Sequence, residues 1–154
     1  MNIETAIVAY LNAHPEISDR AGRRGYPMTI PQTAERPCYA YQAISQTEIM
    51  DHDGLAKLRT VRVQFTCQAA SYLQAKELAK ALGDALRGYK GMMGGGDGLY
   101  VESGEVLNEF DGWGAISGVY TTRVDVGLMY RSQDTPGWIL LEDQDGFLLF
   151  EDIV

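Results

Sequence analysis

The sequence predicts an α+β fold, in which a small mixed or antiparallel β-sheet is packed by two α-helices in the order α-β-β-α-β-β, followed by a C-terminal β-hairpin extension. The first observation behind this prediction is one junction, residues 58–89, where a pattern of period two changes into a helical pattern. The second is size, because 154 residues form one ordinary domain with a substantial core. The third is composition, since 45% hydrophobic and 22% charged residues are typical of a soluble globular chain.

The strand half of the junction alternates between apolar and polar residues. Val61, Val63, Phe65 and Cys67 occupy every second position, and residues such as Gln64 fill the positions between them. Successive side chains of a strand point to opposite faces of the sheet. This pattern therefore predicts a strand with one buried face.

The helical half of the junction begins with a capping signal. Ser71 has the side chain of an N-cap, and Gln74 follows three residues later as its capping-box partner. Apolar residues then recur at helical spacing, which predicts a long amphipathic helix. These are Ala75, Leu78, Ala79, Leu82, Leu86 and Tyr89.

The N-terminal part predicts a helix over residues 2–13, which His14-Pro15 ends. Its apolar stripe consists of Ile3, Ala6, Ile7, Tyr10 and Leu11. A proline-punctuated loop and a strand over residues 38–48 follow, and residues 49–56 then form a loop before the second strand.

Two further strands are predicted after the glycine-rich break at residues 92–98. They cover residues 99–109 and 119–131. In the second of these, Tyr120, Val124 and Val126 belong to the apolar face. Arg123 and Asp125 alternate with them, so we expect both on the solvent-exposed face of the sheet.

Residues 132–154 are predicted to be an acidic extension to a domain formed by residues 1–131. A segment of glycine, aromatic residue, apolar run and two acids at residues 137–143 is repeated at residues 146–152, which predicts a hairpin. Trp138, Leu140, Phe147 and Leu149 would remain partly uncovered on a lone hairpin. The hairpin either folds back onto its own sheet or is an arm that adds strands to, or packs against, a neighbouring subunit or partner.

The charge distribution argues against nucleic-acid binding. The net charge is −8, of which residues 132–154 contribute six acids and no base. Residues 1–131 are nearly balanced, with 15 acids and 13 bases. Affinity for nucleic acid depends on neutralising phosphates with Lys and Arg. No apolar run reaches the length of a membrane span, and the N-terminus lacks the features of a secretory signal.

The sequence contains no recognisable catalytic motif, so we expect no enzyme and no cofactor. His14 lies at a helix end and His52 in a loop. Cys38 and Cys67 lack metal-ligand spacing and are predicted to be buried thiols. Residues 51–54, Asp-His-Asp-Gly, are a weak metal signal that a turn explains as well.

The order of elements and several local motifs resemble the tail-completion, or tail-terminator, proteins of long-tailed bacteriophages. The resemblance covers residues 1–131 and lies in the short first helix, the Tyr26-Pro27 and Pro31-Gln32 loop, and the strand entry at residues 36–41. It continues in the strand at residues 62–69, the helix after Ser71 and the closing strand at residues 122–131.

This resemblance implies a virion structural protein that forms a six-membered ring on the head-proximal end of the tail tube. The ring would end tube growth and join the tail to the head, with the tail tube protein and a head-neck connector protein as partners. DNA would pass through the lumen without specific binding, in keeping with an acidic chain. Such a protein is made in the bacterial cytoplasm and ends in the tail or neck of the virion.

A closed ring requires two different surfaces on each subunit, one of which binds the other surface of the next subunit. The candidates are the loop at residues 49–56, the C-terminal hairpin, and Arg123 with Asp125. The loop carries Ile49, Met50, Asp51, His52, Asp53 and Leu55. Its apolar residues would alternatively cap the end of their own sheet.

Two other functions remain open at this point. A head-side adaptor or stopper of the phage neck would share the ring without the contact to the tail tube. A non-viral α+β module that binds a small ligand would need convergent polar groups in a pocket.

Overall fold

The computed structural model describes residues 2–50, 57–95, 98–114 and 118–131. Its helices are α1 (Ile3–Ala13), α2 (Pro15–Ala21) and α3 (Tyr72–Leu86). Its strands are β1 (Gly25–Pro27), β2 (Cys38–Met50), β3 (Lys57–Ala69), β4 (Gly91–Met93), β5 (Leu99–Gly114) and β6 (Val119–Arg131). The predicted α+β class is confirmed.

The strands form one six-stranded sheet in the order β1-β2-β3-β6-β5-β4. Strand β1 runs parallel to β2, and all other neighbours are antiparallel. The two long hairpins, β2–β3 and β5–β6, point in opposite directions. Leu58 near the start of β3 pairs with Arg131, whereas Ala69 at the end of β3 pairs with Tyr120. Met50 at the end of β2 and Gly114 at the end of β5 therefore lie at opposite ends of the sheet.

The first helix ends at the predicted place, but a second helix begins there. Pro15 is the first residue of α2, a position where proline is favoured because the first N–H groups of a helix have no intrahelical partner. Among the described residues there are thus three helices, and the prediction of two was wrong. Arg20 lies on α2, where its guanidinium contacts Glu16 at 2.9 Å.

The long strands extend further than predicted. β2 reaches Met50, and β5 reaches Gly114. Ile49 and Met50 are therefore strand residues, and the prediction that they belong to a loop was wrong. The edge strands β1 and β4 have 3 residues each, too few to show a period in sequence.

The core lies between the helices and one face of the sheet. The alternating residues predicted for β3, including Val63, Phe65 and Cys67, are buried there together with Leu78 and Leu82 of α3. Ser71 caps α3 as predicted, because its hydroxyl accepts a hydrogen bond from the backbone N–H of Gln74 at 3.2 Å.

Gly104 allows the end of α3 to approach β5 closely. A Cβ atom at this position would lie 2.1 Å from the carbonyl oxygen of Leu86. The N–H of Gly88 also donates to the carbonyl of Gly104 at 2.8 Å. The close approach of α3 to the sheet at this point depends on glycine, which has no side chain.

Candidate assembly surface

The sheet has two chemically different faces. Residues of α1, α2 and α3 join one core cluster with the apolar side chains of one face, which we call the covered face. The alternate residues of the same strands form the open face, which none of the described helices covers. The open face includes Thr60, Arg62, Gln64, Thr66 and Gln68 of β3 and Thr121, Arg123 and Asp125 of β6.

Asp125 is buried within the open face. Its side chain accepts hydrogen bonds from the Nε of Arg62 at 3.1 Å and from the side-chain amide of Gln64 at 3.0 Å. A second guanidinium nitrogen of Arg62 also donates to it. Only 1% of the residue is exposed, so the prediction that Asp125 lies on a wet surface was wrong. A buried carboxylate requires such partners, and Arg62 and Gln64 are its neighbours across the β3–β6 pairing.

Arg123 lies on the same face and is partly exposed. Its guanidinium carbon is 5.7 Å from the centre of the Phe110 ring, a distance that permits a cation–π contact. Of the two β6 residues predicted for an assembly contact, Arg123 is therefore accessible and Asp125 is not.

The outer strands leave long open edges among the described residues. β1 pairs with β2 only at residues 39–41, and β4 pairs with β5 only at residues 99–101. We call residues 42–50 the β2 edge and residues 105–114 the β5 edge. No described strand pairs with the outer side of either edge.

Large apolar side chains are exposed along both edges. Ile44 and Ile49 lie on the β2 edge, with Ile49 42% exposed. Leu107 and Phe110 lie on the β5 edge, with Leu107 45% exposed. Of these four residues, only Ile49 was predicted from the sequence as an interface residue. A signal for Leu107 was present, because the adjacent apolar residues Val106 and Leu107 break the alternation where the structure has a β-bulge.

Leu107 belongs to the open face despite the bulge. A Cβ atom on Gly127 would lie 3.2 Å from a methyl carbon of Leu107, so this leucine extends over Gly127 of β6. Ile49 faces the same side, because it pairs with Leu58 in the register that continues from Arg62 and Thr60. Both edges thus present an apolar side chain on the open face.

A polar cluster fastens the end of β5 to α3. The ammonium group of Lys76 contacts Glu109 at 3.1 Å and Asp111 at 3.3 Å, and the hydroxyl of Tyr72 donates to Asp111 at 2.9 Å. The hydrogen bond from Tyr72 is the main cause that holds the pKa of Asp111 below its ordinary value. The same bond is the main cause of the raised pKa of Tyr72.

The other predicted assembly residues lie outside the described ranges or at their limit. Met50 is the last residue of β2. Asp51, His52, Asp53 and Leu55 of the first hairpin, and Trp138, Leu140, Phe147 and Leu149 of the C-terminal repeat, lie outside the described residues.

The described residues contain no group of three metal-ligand side chains. Cys38 and Cys67 are buried free thiols, as predicted, and burial raises the pKa of both. The ring of His14 packs edge-on against Tyr10 at 5.6 Å. No helix in the described ranges is long and apolar enough to cross a membrane.

Comparison with known proteins identifies the fold and the family. The model of the family "Tail completion protein gp17" matches residues 5–112. A chain from the solved structure "Virion of native gene transfer agent (GTA) particle" is similar to 84% of this chain and is itself covered over 95% of its length. The TM-score is 0.66 and the identity 15%, so the likeness concerns the fold. No match was found among curated proteins.

The family match spans more than half of the sequence and includes most of α1, most of β5 and every element between them. It agrees with the resemblance found in the residues themselves. The chain therefore belongs to the tail completion protein gp17 family, and it is a structural protein of a phage tail.

Proposed function

We propose that this protein forms a closed ring, a hexamer, on the head-proximal end of the tail tube, where it ends tube growth and joins the tail to the head. The observation that supports this proposal is the match of residues 5–112 to a tail completion family. The ring contacts the tail tube protein on one side and a connector protein of the head neck on the other. The protein is synthesised in the bacterial cytoplasm and resides in the tail or neck of the virion.

The subunit contacts of this ring involve surfaces at the sheet ends and edges. Ile49 and Arg123 are exposed or partly exposed in positions that a neighbour reaches. Residues 50–55 of the first hairpin and the hairpin of residues 132–154 belong to the same proposal. In it, residues 1–131 form the ring-building domain and residues 132–154 an added arm.

The pairing of basic side chains supports free passage of DNA through the ring. Arg62 is bound to Asp125, Lys80 contacts Asp84 at 2.8 Å, and Arg131 contacts Glu102 at 2.7 Å. A base that already faces a carboxylate gains less from a phosphate, and phosphate neutralisation dominates affinity for DNA. The ring acts by shape and contact, and we propose no catalytic activity.

Electron microscopy of particles from a virus or prophage with this gene disrupted tests the proposal. The expected result is filled heads together with detached tails of abnormal or uneven length. The intact parent and a strain complemented with the gene are the controls. Normal-length free tails beside leaking heads would instead place the protein on the head side of the neck, as an adaptor or stopper. Normal virions would contradict a role in assembly.

A further inference from the structure

The geometry points to a specific ring contact: the β2 edge of one copy pairs antiparallel with the β5 edge of the next copy, so that the sheets join across each subunit boundary. This inference rests on the proposed ring and names the surfaces that close it. The partner is a second copy of this chain. The contact is heterologous, because it joins two different surfaces, as ring closure requires.

Strand direction makes the two edges compatible. The neighbours β2, β3, β6 and β5 alternate in direction across the sheet, so β2 and β5 run in opposite directions. A head-to-tail copy keeps its strand directions, and its β5 therefore approaches β2 in the antiparallel sense that these four strands already use. The outward N–H and C=O groups along the overlapping lengths of the two edges then gain partners.

Most of each edge lacks the features that usually prevent such pairing. Native proteins protect edge strands with lysine, proline, β-bulges or a covering element. Neither the β2 edge, QAISQTEIM, nor the β5 edge, EVLNEFDGWG, contains a lysine or a proline. Each edge has one β-bulge, between Ala43 and Ser45 and between Val106 and Asn108, near the end of its open length that lies beside β1 or β4. Among the described residues, β1 and β4 cover only one end of each long strand, so the regular open lengths are templates for another strand.

Apolar side chains mark the same two edges. Eight large hydrophobic residues are exposed in the described part of the chain, and four of them lie on these edges. Ile49 and Leu107 are both on the open face, where Ile49 lies level with Arg131 of β6 and Leu107 lies level with Val126. Copies that are staggered along their strands, as tilted strands in a closed sheet are, bring the two side chains into one apolar seam. Cross-strand contacts of this kind stabilise antiparallel pairs. The placement of the apolar residues thus agrees with the placement of the open backbone.

Three of the four carboxylates on the two edges already have a basic partner within the same copy. Glu48 on the β2 edge contacts Arg59 at 3.5 Å. Glu109 and Asp111 on the β5 edge contact Lys76. The fourth, Glu105 on the β5 edge, is exposed.

Three variants of the full-length chain test the pairing. The β2-edge variant combines Ile44→Lys with Ile49→Lys, and the β5-edge variant combines Leu107→Lys with Phe110→Ser. The matched control combines Leu73→Lys with Met92→Lys, two exposed apolar residues outside both edges, of which Leu73 is 65% exposed. Circular dichroism and thermal unfolding establish that each variant is folded, and native mass spectrometry with sedimentation velocity gives the assembly state.

The wild-type chain and the control are expected to form rings, and each edge variant alone is expected to remain monomeric. An equimolar mixture of the two edge variants is expected to form a dimer that grows no further. The β2-edge variant keeps an intact β5 edge and the β5-edge variant keeps an intact β2 edge, so these two edges pair. The two remaining edges of the dimer are both substituted and cannot bind another copy. A dimer formed by either variant alone would contradict a heterologous contact. Rings that persist in both folded edge variants would overturn the pairing.

The outcomes separate this inference from the proposed function. If rings persist in the edge variants and gene disruption still gives tails of uneven length, the tail function stands and the edge pairing is wrong. If the mixed variants form the dimer and gene disruption leaves virions normal, the edge pairing stands and the tail function is wrong. A wild-type chain that stays monomeric at every concentration would overturn the edge pairing.

Discussion

The covered face and the open face are formed by alternate residues of the same strands, yet they have opposite chemistry. On β3, Val63 and Phe65 are buried under the helices, whereas Gln64 and Thr66 lie between them on the open face. The covered face gains its stability from apolar burial. The open face is held at its centre by a hydrogen-bonded carboxylate, Asp125, and its exposed large apolar side chains among the described residues lie on β2 and β5. Because side chains alternate between the two faces of a strand, the residues that stabilise the fold and the residues that offer a contact surface lie on opposite faces of the sheet.

The largest expected difference between the faces comes from two phenylalanines. Phe65→Ala removes a fully buried ring from the covered face and should lower the free energy of unfolding by about 3–5 kcal/mol. Phe110→Ala on the open face should cost less than about 1 kcal/mol. Urea unfolding of both variants, each made in the Ile44→Lys/Ile49→Lys background that is expected to be monomeric, measures both losses. Equal losses would contradict the division into a covered and an open face.

Gly104→Ala tests the closest contact on the covered face. The new methyl group would collide with the carbonyl oxygen of Leu86, so we expect a loss of about 2–3 kcal/mol from overpacking. Gly112→Ala is the control on the same strand, since the nearest atom to a Cβ there is 4.0 Å away. The control should change stability by no more than about 0.5 kcal/mol. Thermal unfolding of both variants checks the difference, and equal shifts would contradict the close fit of α3.

Asp125→Asn tests the polar centre of the open face. The amide keeps one acceptor oxygen but loses the charge that Arg62 binds, so a loss of about 1–2 kcal/mol is expected. Asp84→Asn is the control, because its contacts with Lys80 and Arg87 are exposed and worth about 0.5 kcal/mol or less. Urea unfolding measures both, and a neutral Asp125→Asn variant would show that the buried carboxylate does not stabilise the fold.

The smallest expected effect concerns acid stability at the end of β5. Because the folded state holds the pKa of Asp111 below its ordinary value of 3.8, ionised Asp111 stabilises the fold above that pH, and this contribution is lost as the pH falls through the lowered pKa. Tyr72→Phe removes the main cause of the shift and should raise the pKa of Asp111. An NMR titration of the carboxyl carbon measures it, with Tyr100→Phe as the control. An unchanged pKa would exclude Tyr72 as the cause.

The sequence alone predicted an element correctly where its residue pattern was long and its capping residue belonged to the same segment. The strand-to-helix junction was predicted correctly, because β3 has 13 residues and α3 has 15, and Ser71 caps the helix within its own segment. Helix α2, with 7 residues, was missed because a proline that ends one helix also begins the next. Strands β1 and β4 were missed because 3 residues are too few to show a period, and only their pairing with β2 and β5 makes them strands.

The candidate surface was harder to predict because it depends on contacts distant in sequence. Asp125 is buried through Arg62 and Gln64, which lie 63 and 61 residues earlier. The alternation of residues along β6 predicted the correct face of the sheet for Asp125 but the wrong exposure. The open edges follow from strand order, and strand order is not encoded in the period of any one strand. Ile49 was selected for its apolar character, while its place on an edge required the topology.

The opposed hairpins give the subunit a direction. One end of the sheet has Met50 of β2 and Arg131 of β6, and towards the other end lie Gly114 of β5 and the contact between Lys76 and Asp111. Under pure rotational symmetry every copy presents the same end to the same side. An assembly of this kind has a top and a bottom with different chemistry. Its orientation between two unlike partners is therefore set by the asymmetry of the single subunit.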